Sequence, residues 1–379
     1  MATKIKRYKP HQHPMQALAV AFVVVTVGSV VLFHSKAATP VVSIELENGT
    51  TSGTAAKIND ATASNGQAVR FGTTVKPPVC TLSALDVPAS SCGALWGAYV
   101  AGGTYSALQA RESMIGRHYA MAHIYHDFVQ TWPTADDKAM INSGHILAVE
   151  WEPRAFSSST YYTYSDILAG IYDSNIDSEA TRIKALGSTK IFLSFEGEPE
   201  DNPEQGTPAQ YNASWQYVYN KFKADGVTNV IWAWNVMGNS SSLQFYPGDA
   251  FVDWIAYDPY NWYKCNNHVN GSWMSPQATF QSFYDLLNSS SGPGHQYSSK
   301  PYMITETGSD ENDADPTAKE NWFKALPSVF QALPNLKILL YYDTDHTASN
   351  SCSWNINSSP NALAGYIVAG NDPFFSYGK

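Results

Sequence analysis

The fold that this sequence predicts is a (β/α)8 TIM barrel of the α/β class, preceded by a signal or anchor segment and a short β-rich fragment. Three observations carry it. Eight short apolar runs recur between Gly93 and Tyr342, with helical patterning between several of them, which is the rhythm of a parallel barrel. The ends of those runs are crowded with carboxylates and aromatics. No Gly-x-Gly-x-x-Gly loop is present to favour an open, doubly wound sheet. A chain of 379 residues, 44% hydrophobic and 15% charged, is long enough and globular enough for one such domain.

Residues 1–37 read as a signal peptide or membrane anchor: basic from Lys4 to Lys9, apolar from Ala17 to Phe33, then small residues at Ser35-Lys36-Ala37. The apolar run lies between a usual signal core and a full membrane span, so cleavage and anchoring both stay open. Either way the protein is expected to be secreted or held at the cell surface, touching a membrane only through this segment if it is uncleaved. The formal net charge is −10 although these residues hold five cations and no acid, which argues against nucleic acid as a partner.

Residues 38–79 are a separate stretch. Ser43 to Thr50 and Ala61 to Gly72 resemble the opening strand and the Ala-Ser-x-Gly-x-x-Val-x-Phe strand of carbohydrate-binding modules. About forty residues cannot make a β-sandwich of about a hundred. The stretch is thus a truncated module, a docked partial sheet or a linker, closed by Pro77-Pro78.

The barrel is expected over residues 80–379. Its strands are predicted at Gly93 to Val100, His123 to Phe128, Ile146 to Trp151, Ile191 to Glu198, Asn229 to Asn235, Trp254 to Tyr260, Tyr302 to Glu306 and Leu336 to Tyr342. Helices are predicted at Ile167 to Leu186 and, behind Pro316, at Thr317 to Leu326. Four cysteines in an exported chain imply two disulfides, with three connectivities open; nearness pairs Cys80 with Cys92, leaving Cys265 with Cys352. Without a Cys-x-x-Cys spacing they do not read as a metal site. His118, His123 and His126 read as packing and hydrogen bonding rather than as ligands.

Chemistry concentrates on two strand ends. Ile191 to Phe195 runs into Glu196, Glu198 and Glu200, spaced by two and therefore expected on one face, with Pro199 stopping the strand. Glu198 sits where the chain leaves the core and would be a desolvated acid. Tyr302 to Thr305 likewise ends in Glu306 before Gly308. Two glutamates facing each other across a barrel are what glycoside hydrolysis needs: one protonates the leaving oxygen, the other attacks the sugar or activates water. The strand ends also carry Trp and Tyr, whose faces stack on sugar C–H surfaces.

From about Trp96 onward the chain resembles glycoside hydrolase family 26, a β-mannanase family of the large clan of barrel-fold retaining glycosidases. The resemblance rests on Gly144 to Pro153, Ile167 to Asp173, Phe195 to Glu200, Val230 to Asn235, Tyr246 to Ile255 and Lys300 to Ser309, in that order and spacing. It implies Glu198 as general acid/base, Glu306 as nucleophile and Tyr260 as the tyrosine that holds the nucleophile. Trp151, Trp232 and Trp262 are offered as sugar platforms. One departure matters: the family has His before the acid/base glutamate, where this chain has Gly197. The expected activity is retaining hydrolysis of a β-1,4-linked polysaccharide, first β-mannan, by a monomer that needs no metal or cofactor. The alternatives are the same chemistry on β-glucan or xylan, or a catalytically silent carbohydrate-binding surface protein.

Overall fold

Each apolar run becomes a strand in a computed structural model that describes residues 56–59, 67–70 and 80–377 except 90–91, 159, 266–267, 269–270, 347–351 and 376. The strands are β1 Leu95–Val100, β2 Met121–Asp127, β3 Ile146–Glu152, β4 Ile191–Phe195, β5 Val230–Val236, β6 Trp254–Tyr257, β7 Tyr302–Ile304 and β8 Leu336–Asp343. Each pairs parallel with the next, and β8 pairs with β1, so the barrel closes. Strands covered on both faces read as nearly continuous apolar runs, which is why they are visible in the sequence.

Alternation along each strand sorts the residues into two layers. Leu95, Met121, Ala148, Phe192, Ile231, Ala233, Trp254, Ala256, Met303, Ile338 and Leu340 cluster inside the barrel. Trp96, Leu147, Val149, Leu193, Trp232, Trp234, Ile255 and Leu339 pack outward with the helices. Those helices are α1 Tyr105–Ile115, α2 Ala135–Asn142, α3 Tyr164–Leu168, α4 Asp173–Lys184, α5 Pro208–Ala224, α6 Pro276–Ser289, α7 Ala318–Ala332 and α8 Pro360–Gly370. Six of them start on a Thr or Ser whose hydroxyl accepts the backbone N–H three residues on: Thr104, Thr134, Thr163, Thr207, Ser275 and Ser359.

Two local expectations need correction. The helix predicted over 167–186 is broken into α3 and α4, with Gly170 at φ 75° between them. The β5–β6 connection, for which no helix is predicted, carries 3-10 turns at Ser242–Phe245 and Asp249–Phe251. The fourth strand stops at Phe195, because Glu196 and Glu198 turn into the left-handed region at φ 58° and 50°. Their side chains therefore do not share one face.

Residues 1–77 form a unit of their own, whose described part is an antiparallel pair, Ala56–Asn59 with Gln67–Arg70. The expected signal or anchor at residues 1–37 lies outside the described residues. Among the described residues no helix is long and apolar enough to cross a membrane.

Of the two expected disulfides, Cys265–Cys352 is made. Cys80 and Cys92 lie outside that bridge, Cys92 buried and Cys80 half-buried. The bridge that forms closes a separation of 87 residues, so it removes much freedom from the unfolded chain. Replacing Cys265 and Cys352 together by Ser is expected to lower the stability of the barrel by about 2–4 kcal/mol, read from denaturant unfolding.

Candidate active site

The inward side chains at the C-terminal ends of the strands line a cleft of about 420 Å³. Tyr99 comes from β1, Tyr125 from β2, Glu150 and Glu152 from β3, Glu198 from beyond β4, Glu306 from beyond β7 and Tyr342 from β8. This is the face where barrels of this kind assemble their sites. Glu198 and Glu306, predicted 108 positions apart, both line it.

Glu306 is held at both oxygens. The Tyr125 hydroxyl donates to Oε1, and the Tyr260 hydroxyl donates to Oε2 at 2.5 Å. Its backbone N–H donates to Asp258 Oδ1 at 2.8 Å. Burial raises the Glu306 pKa, and the two phenols pull it back down by stabilising the ionised form. Glu198 has no such donor in its balance. Burial raises its pKa well above the carboxylate range, and the charges of Glu306, Glu200 and Asp201 raise it further. The pair is thus asymmetric: two phenols stabilise the charged form of Glu306, while only raising influences act on Glu198.

Behind them lies a saturated network. Asn235, inward on β5, donates one amide hydrogen to Glu150 Oε1 and the other to Asp258 Oδ2 at 2.8 Å, while its Oδ1 accepts from Thr305 Oγ1 at 2.7 Å. Glu152 pairs with Arg154 at 2.8 Å, and its carboxyl is pushed up to about 7, chiefly by burial. The Arg154 guanidinium lies 4.9 Å over the Phe156 ring, on the cleft wall. The other two glutamates of the predicted trio go elsewhere. Glu196 is buried and accepts from Asn202 at 2.7 Å and Gln205 at 3.2 Å, whereas Glu200 accepts from Ser242 and from the Met237 N–H at 3.1 Å.

Tyr260 hydrogen-bonds Glu306, the residue that the resemblance implies as nucleophile. Trp262 packs beside it at 4.8 Å between ring centroids, with Trp354 at 4.7 Å, in a cluster that also contains Cys265 and Cys352. Trp151 and Trp232 are not sugar platforms. They are 1% and 5% exposed and pack outward, Trp151 on Phe128 and Trp232 among Trp215, Tyr219 and Phe222. Tyr99, Tyr125 and Tyr342 supply the aromatic lining instead. Their parity could have found them: Leu95-x-Gly97-x-Tyr99, His123-x-Tyr125 and Leu340-x-Tyr342 each share one face.

Among the described residues two clusters have cation-compatible spacing. Glu150, Asp258 and Glu306 offer atoms within 4.8 Å of one another, as do Glu112, His118 and His145. The first set is tied up by Asn235, the two phenols and the Glu306 N–H, and in the second His145 Nε2 is 2.9 Å from Glu112. The three histidines of the second-strand region have separate partners: His118 stacks on His145, His126 pairs with Asp137 at 2.9 Å, and His123 is buried with its pKa depressed to about 3.

Residues 201–283 match the family described as Glycosyl hydrolase family 26. The chain is 30% identical over 282 residues to Endoglucanase H of Acetivibrio thermocellus, an alignment covering 70% of this chain and 29% of that protein. It therefore spans less than a third of the curated relative that it matches. Among solved structures, the fold is similar to the family 26 domain of an endo-β-mannanase/endo-β-glucanase from Prevotella bryantii, at a TM-score of 0.50 and 16% identity over 74% of this chain and 90% of that one. It is also similar to a family 26 β-mannanase from Bacteroides ovatus, at 0.51 and 13% over 75% and 90%. At these identities the likeness shows the barrel.

The phenol pair makes a prediction that needs no substrate. Removing a donor to an ionised carboxylate destabilises the ionised form, so Tyr125→Phe and Tyr260→Phe should each move the Glu306 titration to higher pH, seen in carbon-13 carboxyl spectra, and together further than either alone. Unmoved titrations would mean that the phenols do not set its charge.

Proposed function

We propose, from the premise that this chain is a glycosyl hydrolase of family 26, that it is a retaining endo-β-glycosidase cleaving a β-1,4-linked polysaccharide by double displacement. What supports this most is the asymmetry of two carboxyls on one cleft, Glu306 with two phenols that favour its charged form and Glu198 with burial and neighbouring charge that favour its protonated form. Glu306 attacks the anomeric carbon as the glycosidic C–O bond breaks, and Glu198 gives its proton to the departing oxygen. Water then enters, loses a proton to Glu198 and attacks the glycosyl–Glu306 ester, freeing the sugar and restoring both groups.

The family resemblance favours β-mannan. A second polymer, β-glucan, has its own support, since the relative at 30% identity is named an endoglucanase. The leader-like residues 1–37 support action outside the cell or on its surface, and the enzyme is taken to act as a monomer.

The test is reducing-end release from β-mannan, mixed-linkage β-glucan and xylan. One polymer should be cleaved, and Glu198→Gln and Glu306→Gln should each lower the rate by about a hundredfold to ten-thousandfold. Proton NMR should show the β-anomer of the new reducing end first. An α-anomer first would overturn retention, and polymer binding without release would favour the silent carbohydrate-binding protein.

A further inference from the structure

Gly197 precedes the proposed acid/base residue, yet its backbone does not demand glycine, for it is absent from the glycines with left-handed φ. What excludes a side chain is Glu150. A Cβ built on residue 197 would lie 2.5 Å from the Glu150 carboxyl carbon and Oε2 and 2.7 Å from Oε1, closer than atoms can approach. Glu150 comes from β3, paired with Ser194 of β4, so it reaches sideways into the place that a residue-197 side chain would fill.

The two Glu150 oxygens differ. Oε1 accepts from the Asn235 amide, whose other hydrogen and whose oxygen are already committed to Asp258 and Thr305. Among the described residues, Oε2 has no protein hydrogen bond, and Glu150 borders the cleft beside Glu198 and Glu306. A buried carboxyl with one oxygen bonded and the other turned to a cleft is poised for a ligand.

We propose that Glu150 is a further substrate-binding residue, whose Oε2 hydrogen-bonds a hydroxyl of the sugar next to the scissile bond from the space that glycine at 197 leaves open. This rests on the proposed glycosidase reading, and it makes positions 150 and 197 a coupled pair. Burial, then the charges of Glu306, Glu152 and Glu198, raise the Glu150 pKa well above the carboxylate range. With Oε1 accepting, the proton sits on Oε2, which becomes the donor to the sugar. The other titratable neighbours are Tyr125 and His123 of β2, the latter 3.9 Å away and neutral, Tyr342 of β8, Tyr211 of α5, and Asp258 across the shared Asn235.

The experiment is a calorimetric titration of mannohexaose and cellohexaose into the full chain carrying Glu198→Gln, which slows turnover and removes one of the other titrating acids of the site. In that background Glu150→Ala should weaken binding of the preferred hexaose about tenfold, and Glu150→Gln, which keeps an acceptor for Asn235 and a donor for the sugar, should bind nearly as tightly as its parent. Gly197→Ala should match Glu150→Ala, and the two together should be no worse than either alone. Binding by the parent should fall at alkaline pH as Oε2 loses its proton, and Glu150→Gln should abolish that fall, a change that loss of folding cannot imitate. Unchanged affinity in Glu150→Ala, or additive losses in the double variant, would overturn the proposal. Hexaose binding that depends on Glu150 in a chain whose Glu198 form cleaves no polymer would keep this role and remove the hydrolase reading.

Discussion

Closure of the barrel is the constraint on which everything else depends. Once eight parallel strands close, each strand residue has only two directions, into the barrel or toward the helices. The interior then admits one register, and the last inward residue of each strand is delivered to the same rim. Glu150, Tyr125, Asn235 and Tyr342 are inward by the same rule that puts Ala148, Ala233 and Leu340 in the interior core below them. The chemistry is a continuation of the packing.

That rim concentrates negative charge in a place poor in water. Glu150, Glu152, Glu198, Asp258 and Glu306 all have pKa values raised first of all by burial. Such a site is tolerable because protons and hydrogen-bond donors are distributed unevenly through it. The phenols go to Glu306, the guanidinium of Arg154 goes to Glu152, and the Asn235 amide is divided between Glu150 and Asp258. Donor placement decides which carboxyl carries charge, and charge decides which can attack and which can donate.

The eight strands were legible because a doubly covered strand announces itself by apolarity, and Glu198 and Glu306 were legible because each ends such a strand. Trp151 and Trp232 lie near strand ends, but parity turns them away from the cleft: Trp151 alternates with Glu150 and Glu152, so it cannot share their face. The spacing of Glu196, Glu198 and Glu200 suggested one face, but that holds only while the backbone stays extended, and positive φ at two of the three scatters them. Tyr125 carried a readable parity but no neighbouring motif. The Asn235 bridge was not readable, because it joins side chains from β3, β5 and the segment after β6 that only the closed barrel brings together.

The Cys265–Cys352 bridge reaches further than the stability of a loop. Its sulfurs pack in one cluster with Tyr260, Trp262 and Trp354, and Tyr260 is the phenol that grips Glu306 Oε2. One of the two donors on Glu306 is therefore packed against a bridge made by oxidation. Wherever thiols are kept reduced, the chain can close its barrel and still lack that bridge. Maturation of the site then follows the surroundings the protein reaches as well as the folding of its chain.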